Sequence, residues 1–146
     1  MPTVLCVGHA VQDFVFTVPV LPDSGAKYRA TRFEFVGGGP AATAAVAVSR
    51  LGGRALLAAR VGNDDAAGMI VAELEGYGVD CTHVRRCPGS VSSVSAVIVD
   101  ARGERMIVNH LDPALPVDAT WLPSAASVGA GVVLAEGALH FRTGRK

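Results

Sequence analysis

The apolar and polar positions of this chain keep two rhythms. Residues 4–7 and 131–135 are short apolar runs without polar alternation, and they predict parallel strands buried on both faces. Residues 14–18 form another β-rich run, and a further strand is predicted near 54–61. Residues 40–51 predict a helix. Pro40 suits its first turn, where a missing N–H costs nothing, and Ala44, Ala45, Ala47 and Ser49 keep it thin enough to lie close against a sheet. A second helix opens at Asp64 and Asp65, whose charge suits an N-terminus, and stops about Tyr77-Gly78. Residues 23–35 are polar and turn-bearing, with an edge strand in their later part. Residues 94–100 and 105–109 flank Ala101-Arg102-Gly103-Glu104, which reads as a hairpin turn.

Strands alternating with helices predict an α/β fold, a parallel sheet covered by helices with the hairpin strands set apart from it. No repeat or low-complexity linker divides residues 1–146, so one domain is expected. Half the residues are hydrophobic, 18% charged and 5% aromatic, a globular balance. Thirteen basic and thirteen acidic residues cancel, which removes the field that would favour nucleic acid. With no apolar run of about 18 residues, no membrane span is expected. Met1-Pro2-Thr3 lacks the features of a signal peptide, and a cytoplasmic protein is expected.

Cysteine chemistry adds little. Cys6 lies in an apolar run and is assigned to the core. Cys81, His83 and Cys87 match no common zinc spacing and lack a fourth ligand, so no metal site is expected.

The glycine cluster changes the picture. Gly37-Gly38-Gly39-Pro40-Ala41-Ala42-Thr43 runs straight into a helix, and such glycines let a backbone approach a ligand while the helix start offers unpaired amides. Together with Gly8, Asp13, Ser24-Gly25-Ala26-Lys27-Tyr28, Gly62-Asn63-Asp64-Asp65, Gly103-Glu104-Arg105, Asn109 and Trp121-Leu122, this segment resembles the phosphofructokinase B, or ribokinase-like, carbohydrate kinases. Within them it is most similar to the sulfofructose kinases. The resemblance runs from Val4 to about Leu134. It implies a Rossmann-like core with a small β lid over the sugar, built from residues near 13–35 and 92–110, and a ribokinase-like fold truncated at about its middle.

Each candidate site residue has a plainer reading beside it. Asp13 is either a surface turn residue or, by the resemblance, the sugar-binding carboxylate, which accepts bonds from two neighbouring hydroxyls. Gly38 and Gly39 match the paired glycines whose backbone faces the sugar. Thr43 stands where most of the family has asparagine, which argues against ribose or adenosine as substrate. Lys27 is either a protective charge on an edge strand or, with Asn109, part of a site for a sulfonate or phosphate on the sugar. The arginine of that anion site is replaced by Ala138.

The resemblance implies transfer of the ATP γ-phosphoryl group to a sugar hydroxyl, with Mg2+ neutralising charge. The Gly-Ala-Gly-Asp that carries the catalytic base is absent from these 146 residues, since Gly129-Ala130-Gly131 leads into Val132 and a β run. No catalytic residue is assigned, and ATP and Mg2+ are expected of the intact family rather than of this chain alone. The alternative is an inactive fragment that binds sugar or self-associates. The expected partners are a small sugar and a second copy, through the lid or an exposed sheet edge. Residues 137–146 depart abruptly from the family pattern.

Overall fold

The computed structural model describes residues 1–116 and 118–136, so the 137–146 tail with Ala138 lies outside the described residues. The described elements run β1 (Thr3–Val7), β2 (Val11–Thr17), β3 (Arg32–Gly38), α1 (Pro40–Arg50), β4 (Arg54–Gly62), α2 (Asp65–Gly76), β5 (Asp80–Cys87), β6 (Val94–Val99), β7 (Arg105–His110) and β8 (Val132–Ala135). Two four-stranded sheets result, in the orders β5-β4-β1-β8 and β3-β2-β6-β7. Every pair in the first sheet is parallel. The second joins two antiparallel pairs, β2 with β3 and β6 with β7, through a parallel pairing of β2 with β6. A ribokinase-like α/β arrangement follows, a parallel core and a separate lid sheet.

Alternation along the core strands sends side chains to two layers. Val4, Cys6, Leu57, Ala59 and Val61 pack under α1 and α2 against Ala45, Ala67, Ile70 and Leu74. Leu5, Val7, Leu56 and Ala58 face Trp121, Leu122, Val128 and Ala130. α1 nestles on the sheet because Ala41, Ala42 and Ala45 have nothing beyond Cβ to hold it off. Both helices stop in the same way. The amides of Gly52 and Gly53 return to Ser49 and Val48, those of Gly78 and Val79 to Glu75 and Leu74, and each glycine that turns the chain takes a positive φ.

Three expectations need correction. The strand at 131–135 forms, but β8 is exposed along its length, because among the described residues it is the sheet's edge and pairs only with β1. Gly37 and Gly38 belong to β3 rather than to a loop. β5 has no counterpart in the sequence reading, since Thr82, His83, Arg85 and Arg86 break any apolar run at the sheet's other edge.

Candidate functional site

Strand order reverses beside β1. From β1 the chain crosses to β4 and β5 on one side, then returns to β8 on the other, which makes the carboxyl ends of β1 and β8 a topological switch point. Ligands of open α/β sheets bind in such crevices. The lid starts from the same place, since β2 leaves a few residues past the end of β1.

Asp13 lies inside β2, on the lid sheet, rather than just past β1. Cross-strand register aligns it with Val36, Ser95 and Asn109 in one row, so Asp13, Ser95 and Asn109 share a face. Asn109 Nδ2 donates to Ser95 Oγ and to the carbonyl of Val94, each at 3.2 Å. Gly38 faces Asp13 so closely that a Cβ there would stand 2.9 Å from the carboxylate carbon. Gly39 caps α1 with φ 95°, and a Cβ there would stand 2.8 Å from the carbonyl carbon of His9 and 3.0 Å from Ala10 Cα. Thr43, one turn into α1, shares with Gly38, Val46, Arg50, Glu73 and Tyr77 a cavity of about 210 Å³. Asp13 is not among its walls.

Lys27 is elsewhere. It lines a cleft of about 470 Å³ with Phe16, Tyr28, Arg29 and Ile98. Phe16 pairs with Ile98 on the face of the lid sheet opposite to the Asp13 row. Asp13 and Asn109 therefore share one face of the lid sheet with Gly38 against Asp13, Thr43 adjoins Gly38 through a cavity that Asp13 does not line, and the cleft of Lys27 borders the opposite face. That opposite face carries Phe14, Phe16, Phe33 and Phe35, whose rings meet edge-on in two pairs, near-parallel in one and tilted in another, with Phe33 and Phe35 exposed.

Two residues at the switch point had no signal in the sequence. His9 follows β1 and Glu136 follows β8. The backbone N–H of His9 donates to Glu136 Oε2 at 2.8 Å, and its Nδ1 lies 3.0 Å from Oε1. Gly8 leaves room for them, since a Cβ there would fall 2.8 Å from that of Glu136. Ser95 was missed as well, because only strand register sets it beside Asp13.

The lid is tied to the core through Asp64. Its carboxylate caps α2 by accepting the Ala67 amide at 3.0 Å, and it accepts the Ser92 amide and hydroxyl, each at 2.7 Å. Burial favours the neutral acid, but the Ser92 hydroxyl and amide, the Ala67 amide and the Arg86 charge outweigh it and hold the Asp64 carboxyl below its usual range. Ser92 Oγ also accepts the Gly62 amide at 3.0 Å, so α2, β4 and the segment entering β6 meet at one point.

Among the described residues no three of His, Cys, Asp and Glu stand together as a metal site. The sequence contains no Gly-Ala-Gly-Asp, and no catalytic step is derived through ATP or Mg2+. No helix among the described residues is long and apolar enough to cross a membrane.

Comparison with known proteins agrees with this architecture. Residues 1–136 match the pattern of the pfkB family carbohydrate kinases. Over 110 residues the chain is 34% identical to fructokinase-1 of Zea mays, covering 75% of this chain and 33% of that protein. It is 28% identical to a deoxyribokinase of Salmonella typhi over 102 residues, covering 70% and 33%. A crystal structure from Agrobacterium tumefaciens, provisionally named a ribokinase, superimposes with a TM-score of 0.85 at 35% identity, over 92% of this chain and 44% of that one. A ribokinase from Cryptococcus neoformans in complex with ADP gives 0.69 at 25% identity, over 94% and 41%. The chain thus spans about a third of the length of the curated relatives it matches. With the family pattern matched over residues 1–136, the chain belongs to the pfkB family of carbohydrate kinases.

Proposed function

We propose that this chain supplies the sugar-binding part of an ATP-dependent kinase that phosphorylates a ketose bearing an anionic group, such as sulfofructose. The observation that carries this reading is the Asp13 carboxylate set against side-chain-free Gly38, with Ser95 and Asn109 in the same row. Asp13 accepts two sugar hydroxyls, the backbone of Gly38 and Gly39 forms the floor, and Thr43 offers a hydroxyl where a larger amide would narrow the space. Asn109, whose Nδ2 donates to Ser95 Oγ and to the Val94 carbonyl, turns one of those N–H bonds to the anionic end when the sugar binds.

Lys27 enters this proposal through a second copy. It borders the aromatic face of the lid, which is the surface on which we seat a partner molecule, so its cation is offered across a lid-to-lid homodimer. The groups that bind ATP and Mg2+ and transfer the phosphoryl group are proposed to lie outside these 146 residues, in keeping with the one-third coverage of the relatives. A cytoplasmic location, where ATP is supplied, belongs to the same proposal.

Titration of the purified chain with D-fructose, D-ribose and fructose 6-phosphate tests the reading. Binding is expected for the ketoses and strongest for the charged one. Equal indifference to all three refutes it. The second reading, a self-associating protein without sugar affinity, is favoured by the exposed Val132, Val133 and Leu134 on the edge strand β8, and that same indifference accompanied by large assemblies supports it.

A further inference from the structure

We propose that His9 is a specificity-determining residue whose Nε2, oriented by Glu136, accepts a hydrogen bond from a hydroxyl of the bound sugar. This rests on the sugar-binding reading above and adds to it an acceptor at the carboxyl ends of β1 and β8.

Three features carry it. The first is position. His9 lies just past β1 and Glu136 just past β8, the two strands that flank the switch point, and the Glu136 amide continues their ladder by donating to the carbonyl of Val7 at 2.9 Å. The second is the tautomer. A carboxylate only accepts, and Glu136 accepts both the backbone N–H of His9 and the ring at Nδ1. Nδ1 therefore carries the proton in the neutral ring, which leaves Nε2 with a lone pair. The third is availability. The His9 side chain keeps 21% of its surface exposed and that of Glu136 14%. Nε2 has no partner among the described residues. The His9 carbonyl also accepts the Ala42 amide at 3.3 Å and packs against Gly39, so the imidazole is anchored to the same glycine turn that floors the sugar site.

Two substitutions separate contact from support. His9→Asn presents an amide N–H where Nδ1 stood and keeps the bond to Glu136, yet has no atom where Nε2 stood. His9→Gln reaches the Nε2 position with an acceptor oxygen. By calorimetric titration of the chain with D-fructose and D-ribose, His9→Asn is expected to weaken binding about three- to tenfold, the range for one neutral hydrogen bond, while His9→Gln stays within about twofold. In the unsubstituted chain the 15N resonance of Nε2 should move as sugar saturates, with Nδ1 nearly still. That measurement decides the matter even if a variant does not fold. Full affinity in His9→Asn with loss in His9→Gln, or an unmoved Nε2 resonance, overturns the assignment alone. Absence of sugar binding by the unsubstituted chain refutes the sugar site and this assignment together.

Discussion

Replacing Gly38 by alanine tests the sugar site with one methyl group. Gly38 lies within β3 and does not hold a positive φ, so alanine meets no backbone strain there. The collision is with Asp13, since the new Cβ would stand 2.9 Å from its carboxylate carbon and 3.1 Å from Oδ1. Carbon atoms rest about 3.5–4.0 Å apart, so the carboxylate must retreat by roughly 0.6–1 Å. A side chain pushed that far leaves its rotamer well at a cost of about 0.5–1.5 kcal/mol, small enough for the fold to survive. Hydrogen bonds from sugar hydroxyls to a carboxylate contribute roughly 1.5–3 kcal/mol, so their loss predicts a Kd about 10- to 150-fold weaker. Asp13→Ala should weaken binding by a similar factor. The decisive variant is the double one. Once the carboxylate is gone, the methyl has nothing to displace, so Asp13→Ala with Gly38→Ala should bind no worse than Asp13→Ala alone. Calorimetry with D-fructose, alongside thermal melts of each variant, reads all four corners of the cycle. Additive losses would show that the methyl at Gly38 acts other than through Asp13, and an Asp13→Ala chain that binds within about twofold of the parent would show that Asp13 does not hold the sugar.

Asp64→Ala removes a helix cap and two bonds to Ser92, whose amide and hydroxyl are buried, and should cost about 2–4 kcal/mol in chemical denaturation. The Asp64 carboxyl is held below its ordinary range, so its stabilisation is present above the unfolded-state pKa, about 3.9, and is lost as pH falls through the folded value; the gap between the parent and Asp64→Asn should narrow in acid, and a gap that widens refutes the assignment. Phe35→Lys, on the exposed aromatic face, should convert a lid-joined dimer to monomer by light scattering, and an unchanged mass would move the interface elsewhere. Lys27→Ala should weaken fructose 6-phosphate about 10- to 150-fold and leave D-fructose nearly unchanged, and this selectivity should vanish in Phe35→Lys if the lysine acts across the dimer. Equal loss for both sugars would assign Lys27 to the structure of its loop.

Local chemistry made much of the molecule legible. The predicted helix at 40–51 became Pro40–Arg50, and Asp64 and Gly78 sit at the start and the stop of the second helix as read, because helix ends depend on neighbours a few residues away; that Asp64 is a side-chain cap came only with the structure. The hairpin turn is equally local: the Asp100 carboxylate accepts the amides of Arg102 and Glu104, and Gly103 takes the positive φ. What escaped was set by partners far along the chain. β5 is an edge strand held by β4, and its polar residues give no periodic signal of their own. The apolar run at 132–135 read as buried, and only its place at the edge leaves it exposed. Matched motifs carried Lys27 and Asn109 to the same site, yet the two-residue alternation of β2 and β6 sets the cleft of Lys27 on the other face. His9 and Glu136 are 127 positions apart, and nothing near either one announces the other.

The parallel pairing of β2 with β6 also sets the order in which the protein can mature as it is made. Emerging from the ribosome, Asp13 and its antiparallel neighbour Val36 meet early, but the strand that fixes the other side of β2 arrives only with Val94–Val99. Asn109 follows, and β1 waits until Val132–Ala135 appears before its second flank is paired. At about 5–20 residues per second, roughly 5 to 25 seconds separate the synthesis of Val7 from that of β8. During that interval the edge of β1 and the rings of β2 and β3 stand open to other chains. Slowing translation before residue 94 would lengthen the most vulnerable stage of such a nascent chain.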